Sequence, residues 1–219
     1  MEATPAGWFA PADEPETKRR ILEAAAEVFA EKGYYAAAVD DIVRASDTSK
    51  GSFYHFFPSK QAIFLALVDH MYSVLFRRVE DAIAREHGAL NKVDAALRTV
   101  LSEFSRHRRL AKIMLIEAAG LGHAFNDKLH QLHAGFAALI KRHLDRAVEE
   151  GSIAPLDTEL AAYVWLGAIN EVVMRWVHTG QPDLLETALP QLRAMLLRSI
   201  GAAAEAETDS RAGAQGAAS

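Results

Sequence analysis

The chain of 219 residues contains no cysteine, which excludes structural disulfides, thiolate metal centres and cysteine nucleophiles and fits a reducing cytoplasm. It also lacks any apolar run near the roughly 20 residues that a membrane-spanning helix needs. Its first residues, MEATPAGWFAPADEPE, have neither the basic start nor the apolar stretch of a secretory signal. A soluble, cytoplasmic protein without membrane contact is expected. An excess of positive charge is missing too: 24 Lys and Arg face 29 Asp and Glu, a net charge of -5. Indiscriminate coating of nucleic acid runs on counterion release by many basic side chains, so any such contact has to be local. No nucleophile elbow, phosphate-binding glycine loop or other catalytic pattern occurs. No enzyme activity, cofactor or metal is therefore expected.

What the chain does have is 50% hydrophobic and 24% charged residues, enough to bury a substantial core. Residues 1–15 and 201–219 are small, polar or proline-rich and are predicted to be disordered tails. Almost everything between them reads as helix. In TKRRILEAAAEVFAEKGYY, Ile21, Leu22, Ala25, Val28 and Phe29 recur at helical spacing. The prediction is a helix over 17–32, with Thr17 as its N-cap and Gly33 as its stop. In VDDIVRAS, Val39, Ile42, Val43 and Ser46 share one side, and Asp40 and Asp41 occupy the first turn, where the macrodipole favours acids. DTSK then makes a turn in which Asp47 tolerates a left-handed backbone and Thr48 or Ser49 caps the next helix.

The stretch SKGSFYHFFPSK, residues 49–60, packs one Tyr and three Phe between two Lys. A helix over 49–56 must end before Pro58, whose ring disfavours helical geometry at Phe57. On it, Phe53 and either Phe56 or Phe57 fall on one face, while Lys50, Ser52, Tyr54 and His55 point elsewhere. The phenylalanines are expected in the core and the others outside, with Gly51 allowing another backbone to approach closely. Over residues 16–60, seven basic side chains balance seven acidic ones, so acids and bases must occupy different faces. Three helices with a short turn between the second and third form the helix-turn-helix arrangement, whose third helix enters the DNA major groove.

Residues 17–68 resemble the N-terminal DNA-binding domain of the tetracycline-repressor (TetR) family of bacterial transcription regulators. The resemblance lies in the helix ending FAEKGY, the VDDIV helix, the TSKGSFYHFF turn and recognition helix, and PSK opening the next helix. It implies an all-helical homodimer: a head at 16–60 that binds a palindromic double-stranded operator, and a helical ligand-binding and dimerisation domain at 61–200. The function implied is a repressor released by a small-molecule effector. Carried over by position, phosphate contacts fall on Thr17, Tyr54 and Lys60, and base-reading candidates are Ser49, Lys50, Ser52 and His55, with Gly51 allowing close approach. Two departures are visible. Ala36, Ala37 and Ala38 stand where the family has a hydroxyl residue that caps the second helix and touches a phosphate, and Asp47 stands where it has glycine. The competing reading is a helical small-molecule binder or enzyme whose head is structural only. A structural head has no reason to present Lys50, Tyr54, His55 and Lys60 outward.

Further along, helices are predicted over 59–86, 91–106, 108–119, 124–150, 157–178 and 183–199. Asp157 is expected as an N-cap and Pro182 as a first-turn residue, and Pro190 either kinks the last helix or makes it start later. The last two helices carry apolar residues over most of their circumference and are expected to form the dimer interface through Trp165, Ala168, Val172, Leu192 and Leu196. Polar groups in apolar surroundings mark a ligand pocket at Glu117, His133 and Asn170, with Phe104, Met114, Phe136 and Trp165 as apolar lining. His123, His130 and His133 fall within eleven residues, but their spacing on a polar helix reads as solvated surface rather than a metal site.

Overall fold

The computed structural model describes residues 15–116 and 122–202, and its secondary structure there is helical throughout. The helices are α1 (Glu16–Ala36), α2 (Val39–Ala45), α3 (Lys50–Phe56), α4 (Lys60–Ala84), α5 (Ala89–Arg106), α6 (Arg108–Leu115), α7 (His123–Glu149), α8 (Thr158–Thr179) and α9 (Leu189–Ser199). A single π-helical turn, Leu184–Ala188, precedes α9. The all-α class and its division into a helix-turn-helix and a C-terminal helical region are as the sequence predicts. Among the described residues no helix is long and apolar enough to cross a membrane.

Local chemistry sets most helix ends. Asp157 caps α8 by accepting from the Leu160 amide at 2.9 Å, and Gly180 closes that helix with a left-handed backbone, φ 76°. Thr17 is not a cap: α1 already starts at Glu16 behind Pro15, whose fixed φ suits a helix entry without any side-chain bond. Nor does Pro182 open a helix, because Asp183 takes the capping position and accepts from the amides of Leu185 and Glu186 at 2.9 and 2.7 Å. Pro190 lies in the first turn of α9, where its missing N–H costs no intrahelical bond. The later start is thus the alternative that holds.

The helices gather into two compact units, each drawing on separate stretches of chain. Of the described residues, the first comprises those through Arg78 and those within Ser102–Leu132, and the second Val79–Leu101 and those from His133 onward. In the first, Ile21, Phe29, Ile42, Phe53 and Phe64 are completely buried. Phe29, Tyr34 and Phe64 form a ring cluster with centroids 4.9 to 5.7 Å apart, favourable beyond simple burial. In the second, Trp165, Val173, Leu184, Leu192 and Leu196 make the core. There the Trp165 indole donates to Ser199 Oγ at 3.0 Å, and Arg142 of α7 pairs with Glu80 of α4 at 2.7 Å.

Candidate nucleic-acid interface

The third helix is set by its neighbours before any ligand is considered. Ser49 Oγ accepts from the Ser52 amide at 3.0 Å and so caps α3. Ahead of it, Asp47 is the sole non-glycine residue with positive φ among those described, at 50°, which an Asp side chain tolerates. Arg20 of α1 holds this turn from beneath, donating from Nη2 to the carbonyls of Ser46 and Asp47 at 2.7 and 3.0 Å. Phe53 is fully buried and Phe57 nearly so, whereas Phe56 is only half-buried. Phe57, four residues on, is therefore the second anchor. Because it already lies outside the helix, its extended backbone turns the ring inward.

Anchoring one side of α3 pushes the other outward. Lys50, Gly51, Tyr54 and His55 are exposed, and Ser52 is half-buried. The Tyr54 ring stands edge-on against Phe53 at 5.3 Å, and His55 against Phe56 at 4.8 Å. A Cβ built on Gly51 would meet Ser49 Oγ at 3.6 Å, an ordinary contact. The fold itself does not require glycine there, so the bare backbone faces outward. Lys50 Nζ lies 2.8 Å from Asp40 Oδ1 of α2, and this partner holds its ammonium above the usual lysine range. The pair is exposed and weak. A guanine edge or phosphate can replace Asp40.

Sequence reasoning overlooked Asp40 as a partner of Lys50, although the VDDIV acids were in view. It also missed how α2 begins. With Ala38 at the cap, the side-chain half of a capping box is gone. The Asp41 carboxylate still accepts from the Ala38 amide at 3.1 Å and pairs with Lys32 at 2.8 Å. Lys32, with that amide, holds Asp41 below the usual carboxylate range. Thr17 is half-buried within α1. Lys60 departs furthest from expectation: its Nζ donates to the carbonyls of Tyr34 and Ala37 at 2.8 Å each and of Tyr35 at 3.3 Å, and lies 4.5 Å above the Tyr34 ring. Three backbone carbonyls thus accept from its ammonium.

The expected ligand residues divide between the units. Phe104 lines a small cavity in the first unit with Met71, Tyr72, Leu75, Glu103 and His107. That cavity offers about 20 Å³, room for a single water. Burial pushes the Tyr72 phenol up to about 12. Glu103, itself buried, is paired with Arg78 and, at 3.5 Å, with Arg106. The segment LSEFSRHRRL held the signal for this acid, a glutamate between Leu101 and Phe104 in sequence with arginines nearby. His133, Phe136 and Asn170 are half-buried in the second unit, and the Trp165 indole there donates to Ser199. Met114 lies on α6, and Glu117 falls outside the described residues. Among the described residues no cluster of His, Asp and Glu is placed to hold a metal.

The expected interface residues need a similar correction. Trp165, Leu192 and Leu196 are buried inside the chain's own second unit, so a partner cannot reach them. Ala168 and Val172 are half-buried. The apolar side chains that α8 and α9 leave exposed are Leu160, Tyr163, Val164 and Met195, each at least half accessible. On α8 they continue through exposed Gly167 at spacings of three and four.

A short turn joining α2 to a capped, outward-facing α3 defines a helix-turn-helix DNA-binding protein. The comparisons specify which. Residues 21–67 match the model of bacterial regulatory proteins of the tetR family, and residues 86–200 match the tetracyclin repressor-like C-terminal domain. The chain belongs to the tetracycline-repressor family of transcriptional regulators. A fatty acid metabolism regulator protein of Bacillus subtilis is 26% identical over 163 residues, 74% of this chain and 84% of that one. The transcriptional repressor KstR2 of Rhodococcus jostii is 27% identical, covering 87% and 96%. Among solved structures, FadR of Bacillus halodurans superposes with a TM-score of 0.77 at 22% identity over 84% of this chain and 96% of that one. FadR of Bacillus subtilis in complex with stearoyl-CoA gives 0.74 at 24% identity over 84% and 97%. These relatives are regulators, not enzymes.

Proposed function

We propose that this regulator is a cytoplasmic repressor that binds a palindromic operator as a homodimer and leaves it when a small molecule binds. The observation that carries the reading is the division of α3: Phe53 and Phe57 buried, and Lys50, Gly51, Tyr54 and His55 exposed on the opposite side. Lys50 and His55 reach base edges, Tyr54 donates to a phosphate, and the Gly51 backbone permits close approach. Ser49 serves first as the cap, and Ser52 lies beside it. Two copies join through Leu160, Tyr163, Val164 and Met195, and a dimer reading a palindrome must place its recognition helices one turn of DNA apart, or a multiple of it.

The effector is an apolar molecule. A relative that regulates fatty acid metabolism makes acyl compounds the first class to test. The cavity beside Phe104 holds only about one water, so a larger effector must select a state in which a cavity is open, and its differential affinity for that state weakens DNA binding. The deciding experiment selects binding sites from a random DNA pool with the purified protein. Recovery of a two-fold symmetric sequence, bound two chains per site and released by an acyl compound, supports the reading; failure to enrich any sequence would end it.

A further inference from the structure

The backbone is irregular where α1 meets α2. Gly33 breaks α1 with φ 78° and ψ 164°, which turns the carbonyls that follow away from helical partners. No hydroxyl side chain stands at Ala36, Ala37 or Ala38 to gather them, and the α2 cap Ala38 makes no side-chain bond. What gathers them is Lys60, the first residue of α4. An ammonium group has three donors, and the carbonyls of Tyr34, Tyr35 and Ala37 take them at 2.8, 3.3 and 2.8 Å. Beneath the same nitrogen lies the face of the largely buried Tyr34 ring at 4.5 Å, an attraction that strengthens with desolvation. Desolvation also holds the Lys60 ammonium below the usual lysine range, as expected of a group turned inward.

We propose that Lys60 is a positioning residue for DNA recognition rather than a phosphate contact: it clamps the α1–α2 junction to the start of α4 and so fixes the direction in which α2 and α3 are presented. The inference rests on the reading that α3 binds DNA. Ala37, one of the clamped residues, directly precedes the first backbone group of α2, so a shift there is carried into α2 and onward to α3.

The test compares the parent with K60M on the selected operator and on unrelated DNA across a range of salt. A positioning role predicts that operator affinity of the folded variant falls about tenfold or more, that affinity for unrelated DNA is unchanged, and that the slope of log K against log salt stays at the parent value. A phosphate contact instead predicts that both affinities fall together and that the slope shrinks by about two per dimer, one for each Lys60; that result, or an unchanged operator affinity, overturns the proposal. Should K60M not fold, amine acylation of the parent decides. Lys60 is expected to react far more slowly than the exposed Lys112 with or without DNA. Reaction at the Lys112 rate in free protein, with protection only on DNA, would equally overturn it. A parent that binds no DNA sinks the functional reading, while the free-protein labelling still judges the clamp.

Discussion

The α3 face and the α8–α9 face are both surfaces that the fold leaves open, and they are built in opposite ways. Around α3 the large aromatics Phe53 and Phe57 go inward, and Lys50, Tyr54 and His55 go out. On α8 and α9 the large residues Trp165, Leu192 and Leu196 also go inward, yet what remains outside is Leu160, Tyr163, Val164 and Met195. A polar face with one exposed lysine and bare glycine backbone suits a polyanion whose bases must be approached closely. An apolar face suits a second surface of the same kind, because only removal from water rewards it. Residue burial alone thus separates two kinds of surface on one chain.

The sharpest way to break this contrast is to remove an inward anchor. Phe53→Ala deletes a ring with no accessible surface and is expected to destabilise the protein by about 3 to 5 kcal/mol, abolishing operator binding through loss of folded protein. Chemical denaturation checks this, and a shift under about 1 kcal/mol would place the ring outside the core. Trp165→Ala should behave alike, with a loss of about 3 kcal/mol or more, and not as a selective loss of the dimer.

Val164→Arg tests the outward apolar face. It should convert the dimer to a folded monomer with little change in helix content, seen by light scattering, since an unpaired charge buried at a subunit contact costs several kcal/mol. A persistent dimer would move the interface elsewhere. On the polar face, Lys50→Ala should cost roughly 1 to 3 kcal/mol at particular operator positions. A uniform loss over all operator variants would make Lys50 a backbone contact.

The smallest effect concerns acid. Lys32 beside Asp41, and Lys141 beside Asp145, hold these carboxyls below their ordinary range. A carboxyl depressed in the folded state contributes stability that is complete above its unfolded value of about 3.9 and is lost as pH falls below it. Melting temperatures of D41N and the parent should therefore differ at neutral pH and converge as pH drops below about 4. A constant gap down to the acid limit would exclude the pairing.

Much of the head was legible because its signals are local. The left-handed Asp47, the Ser49 cap and the end of α3 ahead of Pro58 each depend on residues within a few positions, and each is found. The candidate sites were less so. Glu103 is made tolerable inside the first unit by Arg78, 25 positions away, and the apolar runs of α8 and α9 cannot say which of their faces the chain itself consumes. A helix that is apolar around most of its circumference leaves that choice to packing.

By itself, then, the sequence determined the helices and the turn between α2 and α3, because helical periodicity, capping and turn chemistry act over three or four residues, while the resemblance of residues 17–68 pointed to the family. Only the tertiary structure decided that Trp165, Leu192 and Leu196 serve the chain's own core while Leu160, Tyr163, Val164 and Met195 stay outside, and that Lys60 turns inward to three carbonyls 23 to 26 positions away. An ammonium on a long flexible stem goes wherever unpaired acceptors and a ring face lie within reach. Where those lie is settled by how α1 and α4 pack, not by the residues on either side of Lys60.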